Sequence, residues 1–454
     1  MPIGDWREHM GWTWEEESSF WITFVLMNGT CKLAVPLVAE WLVTTIPSIH
    51  NHLEHQMENS WNLIFELLLL LLHSNAAKGD ISVGIGIGNG GGSLNNNTNT
   101  PGPVPNLNNA FPALQAWKSS ITDDPFNILD TWVGPNVCSY KGVFCSNSED
   151  DNGIVTTAAT ESNVVAGIDL NHANLQGTLV KELSLLSHIT LFHLNSNRFS
   201  GSVPDTFRDL TSLQELDLSN NQLSGPFPMA TLFMPSLVYL DLRFNNFSGQ
   251  LPHQLFNKKL DAIFLNNNNF GGEIPDNLGN SPASVINLAN NKLSGTIPFS
   301  FGFMNPRLKE ILFLNNQLTG CIPQGVGIFT EMQVFDVSFN SLMGHLPDTM
   351  SCLQEIEVLN FAHNKLSGEL SNVVCSLRTL LNLTVAYNFF SGLSQECSNL
   401  FNVGFDFSDN CIPGRDMQRP GPECSMIPGG SLNCLRIPTP KPLVCPVTLS
   451  TSSP

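Results

Sequence analysis

Apolar and polar residues alternate over short stretches that recur along most of the chain. In "DLSNNQLSGPFP", from Asp217 to Pro228, an aspartate and a leucine are followed by two asparagines, a second leucine, a glycine and a proline. Stretches of the same order begin at Asp241, Asn287 and Asp336. Alternation with a period of two predicts a short strand with one apolar and one polar face. The residues that follow each strand predict a bend.

The glycines set the length of the repeat. They stand 23 to 25 residues apart through ten turns: Gly177, Gly201, Gly225, Gly249, Gly272, Gly295, Gly320, Gly344, Gly368 and Gly392. In nine turns an asparagine stands four positions earlier: Asn197, Asn221, Asn245, Asn268, Asn291, Asn316, Asn340, Asn364 and Asn388. Apolar pairs such as Leu216 and Leu218 stand nine and seven positions before the glycine. A constant period of this length predicts a leucine-rich repeat solenoid.

Each position of the repeat has a predicted structural role. The apolar pair points inward, so stacked turns form one parallel sheet over a core that no single turn could bury. The asparagine amide is expected to satisfy backbone groups of its own and adjacent turns, which gives a ladder along the solenoid. Glycine permits the next bend, and proline ends strand pairing. The predicted class is α/β, mainly parallel strands with short 3-10 or helical turns.

Cysteines flank the repeats. Cys138 and Cys145 are close enough to pair locally beside an amphipathic helix that carries Leu114 and Trp117. After the last glycine come Cys397, Cys411, Cys424 and Cys434. Cys375 stands one turn before Cys397, and Cys321 with Cys352 is another candidate pair, so connectivity stays open. These residues predict disulfide-stabilised caps at both ends, and the absence of a CxxC pair disfavours zinc.

Composition shifts divide the chain into segments. We predict an upstream extension at 1–56, a signal peptide at 57–77 and a Gly/Asn/Pro-rich linker at 78–109. An N-terminal cap at 110–160, repeats at 161–396, a Cys-rich C-terminal cap at 397–435 and a Pro/Ser tail at 436–454 follow. Charged residues and prolines interrupt the first apolar stretch, from Phe20 to Ile46, so no membrane span is predicted in the mature chain. The spelling GxGxxG in the linker precedes no helix, which disfavours a nucleotide site.

Charge and cysteine content narrow the function classes. The chain carries 20 Lys and Arg against 39 Asp and Glu, a net charge of -19. Such a chain repels nucleic acid, whereas a basic partner remains compatible with its charge. Eleven cysteines are typical of an oxidised, secreted protein. No nucleophile motif, metal motif or kinase signature occurs, so neither an enzyme nor a cofactor is predicted.

Outward strand positions predict a ligand-binding surface. An acidic column with aromatic and histidine neighbours suits an Arg- and Lys-rich peptide on the concave sheet. The competing interpretation is that the aspartates only solvate the sheet and that Arg243 pairs with Asp217 or Asp241. Sequons at Asn96, Asn246 and Asn382 predict glycosylation. The predicted peptide contacts are Asp169, His193, Glu215, Asp217, Asp241, Phe244, Phe264, Glu310, Asp336, Phe339, His363 and Tyr387.

Several longer stretches carry a specific resemblance. "AFPALQAWKSSITDDPFN", "VCSYKGVFC", "VAGIDLNHANLQG" and "EIEVLNFAHNKLSGEL" resemble the plant leucine-rich repeat extensin family over roughly residues 106 to 435. The resemblance implies about ten plant-type repeats in a secreted cell-wall protein. It also implies that the repeats bind small basic cysteine-rich peptide hormones of the rapid alkalinization factor type, act in wall growth and integrity, and form a homodimer.

The chain departs from that family in two ways. It ends in "IPTPKPLVCPVTLSTSSP" where family members carry a long extensin tail that anchors them in the wall. Ser200 and Thr296 stand where many relatives are expected to have cysteines. Two alternative functions stay open. One is a secreted inhibitor of pathogen wall-degrading enzymes, similar to polygalacturonase inhibitors, and the other is a structural wall protein that contacts pectin.

Overall fold

The computed structural model describes residues 19–26, 29–36, 109–147, 163–400, 403–425 and 434. The chain divides into two compact units, Met1–Thr98 and Asn99–Pro454. In the first unit, strands Ser19–Leu26 and Gly29–Pro36 pair as an antiparallel hairpin. The predicted signal peptide, Asn96 and the predicted tail lie outside the described residues.

The first sheet of the second unit contains the strands predicted from the apolar pairs. Its neighbouring strands pair parallel and in register, apart from the antiparallel pair at the N-terminal edge. In chain order the twelve strands are Val143–Asn147, Asn163–Asp169, Leu191–His193, Glu215–Asp217, Tyr239–Asp241, Ala262–Phe264, Val285–Asn287, Glu310–Leu312, Val334–Asp336, Val358–Asn360, Asn382–Thr384 and Gly404–Asp406. The last strand lies within the segment predicted as the C-terminal cap, so the sheet continues one turn beyond the last repeat glycine.

A second sheet runs along the solenoid, and the prediction of a single sheet was wrong. Residues on either side of the repeat glycine form strands that pair parallel with those of adjacent turns at an offset of two residues, so that Gly249 lies opposite Phe270, two positions before Gly272. Its eleven strands are Ile121–Asp123, Gln176–Thr178, Arg198–Gly201, Gln222–Gly225, Asn246–Gln250, Asn269–Glu273, Lys292–Thr296, Gln317–Gly320, Ser341–Gly344, Lys365–Leu370 and Phe389–Leu393.

Short helices return the chain from the second sheet to the first. Five of the ten described helices start directly after the repeat proline, which cannot donate to a ladder and so ends strand pairing. The 3-10 helices of the repeats are Lys181–Leu185, Asp205–Asp209, Met229–Phe233, Leu278–Asn280, Phe299–Phe303, Gln324–Ile328, Asp348–Cys352 and Glu396–Asn399. Two turns have α-helices instead, Gln254–Asn257 and Asn372–Cys375. The predicted leucine-rich repeat solenoid is confirmed.

The predicted asparagine ladder joins consecutive turns. Asn245 donates from Nδ2 to the carbonyl of Leu218 in the preceding turn at 2.9 Å and to that of Leu242 in its own turn at 3.2 Å. Its Oδ1 accepts the backbone N–H of Leu223 at 2.9 Å. Asn410 makes the same contacts with Val385 and Phe390. Each buried amide therefore satisfies backbone groups that would otherwise lose hydrogen bonds to water.

An aromatic cluster under the N-terminal cap closes the core. In the α-helix Ala110–Ser120, Leu114 and Trp117 are fully buried, as the predicted helical face required. The Trp117 ring lies 5.8 Å from that of Trp132 and 5.7 Å from that of Phe199, centroid to centroid. Two 3-10 helices, Ile128–Thr131 and Val137–Ser139, complete the cap, and Cys138 is bonded to Cys145. The cap thus covers the apolar end of the first turn.

The C-terminal cap is joined both to itself and to the repeats. Cys411 is bonded to Cys424, at the end of the short helix Gly421–Cys424, and Cys375 is bonded to Cys397. The candidate pairing of Cys321 with Cys352 was wrong, because Cys321 is bonded to Cys434, 113 residues later. Spacing could not predict this bond, since Cys434 returns to a turn far from the cap. Cys352 is itself disulfide-bonded.

Candidate functional site

The outer face of the first sheet, the surface predicted to be concave, carries the predicted contacts in columns. The central residue of each strand points into the core, so its two neighbours point outward. Eight positions before the repeat glycine the column is mostly Asp or Asn, and one side-chain oxygen accepts the backbone N–H two residues later. Asp169, Asp217, Asp241, Asn287, Asp336, Asn360 and Asp406 all make this bond. The column therefore has a structural role at the strand end that sequence reasoning missed.

Three predicted acidic contacts are buried, which corrects the expectation that they are exposed. Asp241 is 0% exposed, Asp336 7% and Glu310 8%. Outward residues of adjacent strands stand only ~4.8 Å apart, so a large neighbour covers a shorter one. Asp336 accepts hydrogen bonds from the Ser338 hydroxyl at 2.6 Å and from Asn360 Nδ2 at 3.0 Å. Burial raises the pKa of Asp336 to about 6, although these bonds act against the shift.

The predicted acidic contacts that reach solvent lie together in the first three turns. We define the acidic patch as Asp169, His193, Glu215 and Asp217. Asp169 and Glu215 are exposed, whereas His193 and Asp217 are half-buried. His193 Nε2 lies 3.2 Å from Glu215 Oε2, and His193 pairs in register with Asp217 on the next strand. The patch therefore offers carboxylates of the first and third turns, with His193 of the second turn between them, to one ligand.

A cationic side chain is fixed beside the acidic patch. Arg243 Nε lies 3.0 Å from Asp241 Oδ2, and its guanidinium carbon lies 5.2 Å above the Phe264 ring. The Tyr239 hydroxyl is 3.3 Å from the same carboxylate oxygen. Burial, together with the nearby Asp217, raises the pKa of Asp241 to about 7 against the opposing effect of Arg243. Burial likewise raises the pKa of Tyr239.

Sequence reasoning missed Tyr239 and gave Arg243 only a pairing role. Tyr239 stands two positions before Asp241, in the column from which Glu215 and Glu310 were chosen. Extending that column to every turn would have identified it. Arg243 pairs with Asp241, one of the two partners that the competing interpretation offered.

The predicted aromatic contacts of the last turns form a stack. We define the aromatic ladder as Phe339, His363 and Tyr387. The ring centroids are 4.1 Å apart between Phe339 and His363 and 4.0 Å apart between His363 and Tyr387, with interplanar angles of 17° and 11°. Phe339 and Tyr387 are 39% and 37% exposed. Three rings therefore present one continuous edge to solvent.

The ladder occupies a strained backbone position. Five residues before the repeat glycine, φ lies between 48° and 58° in every turn from His172 to Asp409. Asparagine and histidine tolerate this left-handed conformation, whereas Phe and Tyr rarely adopt it. Phe244, half-buried in the fourth turn, has φ 52°. Strain retained at partly exposed aromatic residues is typical of functional surfaces.

The candidate face therefore has two regions. The acidic patch ends in the third turn and the aromatic ladder begins in the eighth, so at the strand spacing of a parallel sheet they lie roughly 24 Å apart. Phe264 is half-buried between them, beside Arg243. Among the described residues no cluster of His, Cys, Asp and Glu is arranged to hold a metal ion. Nor does any described helix have the length and apolarity needed to cross a bilayer.

The predicted glycosylation sites that the structure describes differ in accessibility. Asn246 is exposed at the start of a second-sheet strand. Asn382 is half-buried on the first sheet, and its Oδ1 accepts a hydrogen bond from the Thr384 hydroxyl at 3.0 Å. A glycan on Asn382 would cover the outer face next to the aromatic ladder.

Family models match four segments of the chain. A leucine rich repeat N-terminal domain matches residues 107–146, the N-terminal cap. Leucine rich repeat models match residues 187–247, 259–281 and 284–304.

Curated relatives extend the match over most of the chain. Leucine-rich repeat extensin-like protein 2 of Arabidopsis thaliana is 53% identical over 332 residues, which are 73% of this chain and 41% of the relative. Leucine-rich repeat extensin-like protein 7 of the same plant is 57% identical over 234 residues, 52% of each chain. This chain resembles the leucine-rich repeat extensin-like proteins in sequence. It spans about half, or less, of the length of the curated relatives that it matches.

Solved structures similar to this chain include plant receptor ectodomains. The peptide hormone receptor RGFR1 in complex with RGF2 is 29% identical with a TM-score of 0.53, over 55% of this chain and 40% of that one. The Arabidopsis receptor kinase HAESA, in complex with the peptide hormone IDA and the co-receptor SERK1, is 27% identical with a TM-score of 0.56. That match covers 67% of this chain and 50% of HAESA.

Proposed function

We propose that this chain is a secreted, extracellular cell-wall protein that binds a small basic cysteine-rich peptide hormone, of the rapid alkalinization factor type, in wall growth and integrity signalling. The observation that carries the proposal is the pairing of the acidic patch with the aromatic ladder on one sheet face. Carboxylates attract and orient a cationic ligand, and stacked rings give it an apolar anchor. Binding requires no cofactor in this proposal.

The size of the face fits a folded peptide. The two regions lie roughly 24 Å apart, and a compact peptide of a few dozen residues reaches about that far. The net charge of -19 favours the approach of a basic ligand. RGFR1 and HAESA, similar to this chain in fold, were solved with peptide hormones bound.

The structure also bears on an enzymatic alternative. The carboxyl with the largest upward pKa shift among the described residues belongs to Asp241, which is fully buried. A general acid has to reach within hydrogen-bond distance of its substrate. Asp241 cannot do so from this position, and we therefore propose a binding protein rather than a hydrolase.

The proposal is tested by calorimetric titration of the full chain, secreted and oxidised, with a panel of synthetic basic cysteine-rich peptides. In one variant Asp169→Lys is combined with Glu215→Lys, since both side chains are exposed in the acidic patch. The control combines Asp205→Lys with Asp209→Lys, two exposed residues of the 3-10 helix Asp205–Asp209. Both variants change net charge equally, so a difference between them reports on position.

We expect the patch variant to bind at least about tenfold more weakly, with a slower association rate and a weaker salt dependence. The control should stay within about twofold of wild type. Equal affinities for both variants would contradict the proposed site. Absence of binding by every peptide would contradict the peptide function, and inhibition of a polygalacturonase or retention on pectin would then support the two alternatives.

A further inference from the structure

Polar atoms without hydrogen-bond partners are concentrated beside the acidic patch. Of the six buried side-chain N and O atoms that lack a partner in the described part of the chain, three lie in the fourth and fifth turns: Arg243 Nε, Asn266 Oδ1 and Asn267 Nδ2. Asn266 is only 3% exposed and follows Arg243 in the same column, one turn later. Folded proteins leave few such atoms, so a local cluster indicates a site that a ligand completes.

Arg243 is the charged member of this cluster, and its surroundings fix it in place. The Asp241 carboxylate contacts it at one edge, and the Phe264 ring lies below its plane. Nε lies 3.0 Å from the carboxylate, but its N–H does not point at the oxygen, so the contact is an ion pair without an aligned hydrogen bond. A side chain immobilised in this way loses little entropy when it binds a ligand.

The guanidinium keeps donors for a further partner. Arginine has five N–H donors arranged to bind a carboxylate through two of them. The contacts of Arg243 in the described residues are the Asp241 carboxylate and the Phe264 ring, and 20% of its side chain reaches solvent. Arg243 is therefore a positioned cation on a face whose accessible charges nearby are carboxylates.

We propose that Arg243 receives a carboxylate of the bound peptide, an Asp or Glu side chain or the C-terminus, and thereby fixes the register of the peptide on the outer face. This inference rests on the proposed function. A basic peptide is attracted along the whole acidic patch, and attraction alone leaves its register undefined. One cation among carboxylates supplies a position where only an anionic group of the ligand fits.

Asp241 links this contact to pH. The charged or titratable groups that face its carboxyl are Arg243 and Tyr239 from its own turn and Asp217 from the preceding strand. The following strand, Ala262–Phe264, contributes the Phe264 ring and no ionisable group. An ionised Asp241 repels a ligand carboxylate at Arg243, whereas a protonated one does not. Because the pKa of Asp241 is raised to about 7, binding should tighten as pH falls from 8 to 6.

The test is a set of double-mutant cycles by calorimetry with the full oxidised chain. Each carboxylate of a binding peptide from the panel is replaced in turn by an amide, and each peptide is titrated into wild type and Arg243→Gln. Arg208→Gln is the matched control, because Arg208 is exposed on the 3-10 helix Asp205–Asp209 and its loss changes net charge equally. A fourth variant, Asp241→Asn, is titrated at pH 6 and pH 8.

We expect one amide replacement to weaken binding to wild type by about tenfold and to have little further effect in Arg243→Gln. The control should show the full tenfold loss, and Asp241→Asn should remove the severalfold difference between pH 6 and pH 8. A peptide that binds equally to wild type and Arg243→Gln, or whose carboxylates show no coupling to Arg243, would overturn this inference and leave the peptide function standing. Failure of every peptide to bind would overturn both. Binding of oligogalacturonate that is lost in Arg243→Gln would assign Arg243 to a wall polysaccharide instead.

Discussion

The two consecutive asparagines of the repeat are chemically identical but have different structural roles. In the third turn, Asn220 adopts φ 52°, the left-handed conformation that asparagine tolerates. Asn221 keeps its amide in the core, where Oδ1 accepts the N–H of Phe199 at 2.9 Å and Nδ2 donates to the carbonyl of Leu194 at 2.8 Å. Replacing the first asparagine by an aromatic residue keeps the fold but costs backbone strain. Such replacements mark the positions where the surface of the repeat differs from its scaffold.

A single buried carboxyl is expected to control the pH dependence of stability. The pKa of Asp241 is raised from 3.8 to about 7, so folding favours its protonated form. This contribution to stability is fully present below the unfolded pKa of 3.8 and is lost as pH rises through about 7. Asp336, with its pKa raised to about 6, acts in the same direction over a narrower range.

We therefore expect Asp241→Asn to be more stable than wild type at pH 8 by up to about 4 kcal/mol, at about 1.4 kcal/mol per unit of pKa shift. At pH 5 the difference should fall to about 2 kcal/mol, because folded Asp241 is then protonated while the unfolded carboxyl, with its pKa of 3.8, is still mostly ionised. Urea denaturation at both pH values measures the difference. A variant that is less stable than wild type at pH 8 would show that the ion pair with Arg243 stabilises the fold.

At the scale of the elements, seven of the twelve described strands of the first sheet end in a side-chain bond to their own backbone, and each turn is joined to the next by an asparagine. Asp217 accepts hydrogen bonds from both the N–H and the hydroxyl of Ser219, at 2.9 and 2.5 Å. Strands of only three residues make few ladder bonds, so these side-chain bonds determine where those strands end. The asparagine bonds between turns distribute stability along the whole solenoid.

One ladder asparagine is expected to contribute a large share of local stability. Asn245 is 7% exposed, and its loss leaves the N–H of Leu223 unsatisfied inside the protein and removes the shorter of two side-chain hydrogen bonds to the carbonyl of Leu218, which keeps that from Asn221. Asn245→Ala should lower the free energy of unfolding by about 3 kcal/mol. Urea denaturation of the full oxidised chain measures this loss, with Gln222→Ala, an exposed side chain of the neighbouring turn, as the control. A loss below about 1 kcal/mol, or equal to that of the control, would contradict a role in satisfying buried backbone.

At the scale of the whole solenoid, a disulfide joins the C-terminal cap to the interior of the repeat array. Cys434 lies against the backbone of the eighth turn, with its sulfur 3.5 Å from the Met343 carbonyl oxygen. A Cβ on Gly344 would lie 2.0 Å from the same sulfur, so this glycine is needed both for its φ of 84° and for space. The bond to Cys321 closes a loop of 113 residues that contains the last turns. The turns that carry the aromatic ladder are thereby enclosed in a covalent loop.

Removal of this bond should destabilise the C-terminal turns selectively. Cys434→Ser combined with Cys321→Ser is expected to cost about 4–5 kcal/mol by the loop-entropy estimate, against about 2 kcal/mol for the short loop of Cys138 and Cys145. Hydrogen exchange should show faster opening of the backbone near Phe339 and Tyr387 and no change near Leu216. Uniform loss of protection along the solenoid would contradict this local role.

The sequence predicted the parts of the molecule that depend on local periodicity. The glycine spacing, the inward pairs such as Leu216 and Leu218, and the asparagine ladder follow from rules that act within one turn and are repeated. The same pattern, "DFSDN" from Asp406 to Asn410, marks the last strand of the first sheet, and Gly414 follows Asn410 at the repeat distance of four positions. Local rules were thus sufficient to predict the repeat solenoid with its first sheet and to choose the candidate face.

The second sheet, the Cys321–Cys434 bond and the accessibility of each candidate residue depended on the tertiary structure. Asp217 and Asp241 occupy the same position of consecutive repeats, yet the first reaches solvent and the second does not. The difference arises from large neighbouring side chains, because Tyr239 and Arg243 of its own turn and Phe264 of the next turn together cover Asp241. A repeat pattern specifies which way a side chain points. Whether that side chain can meet a ligand is decided by how the surrounding side chains pack on it, including those on adjacent strands ~4.8 Å away, which stand a full turn away in the sequence.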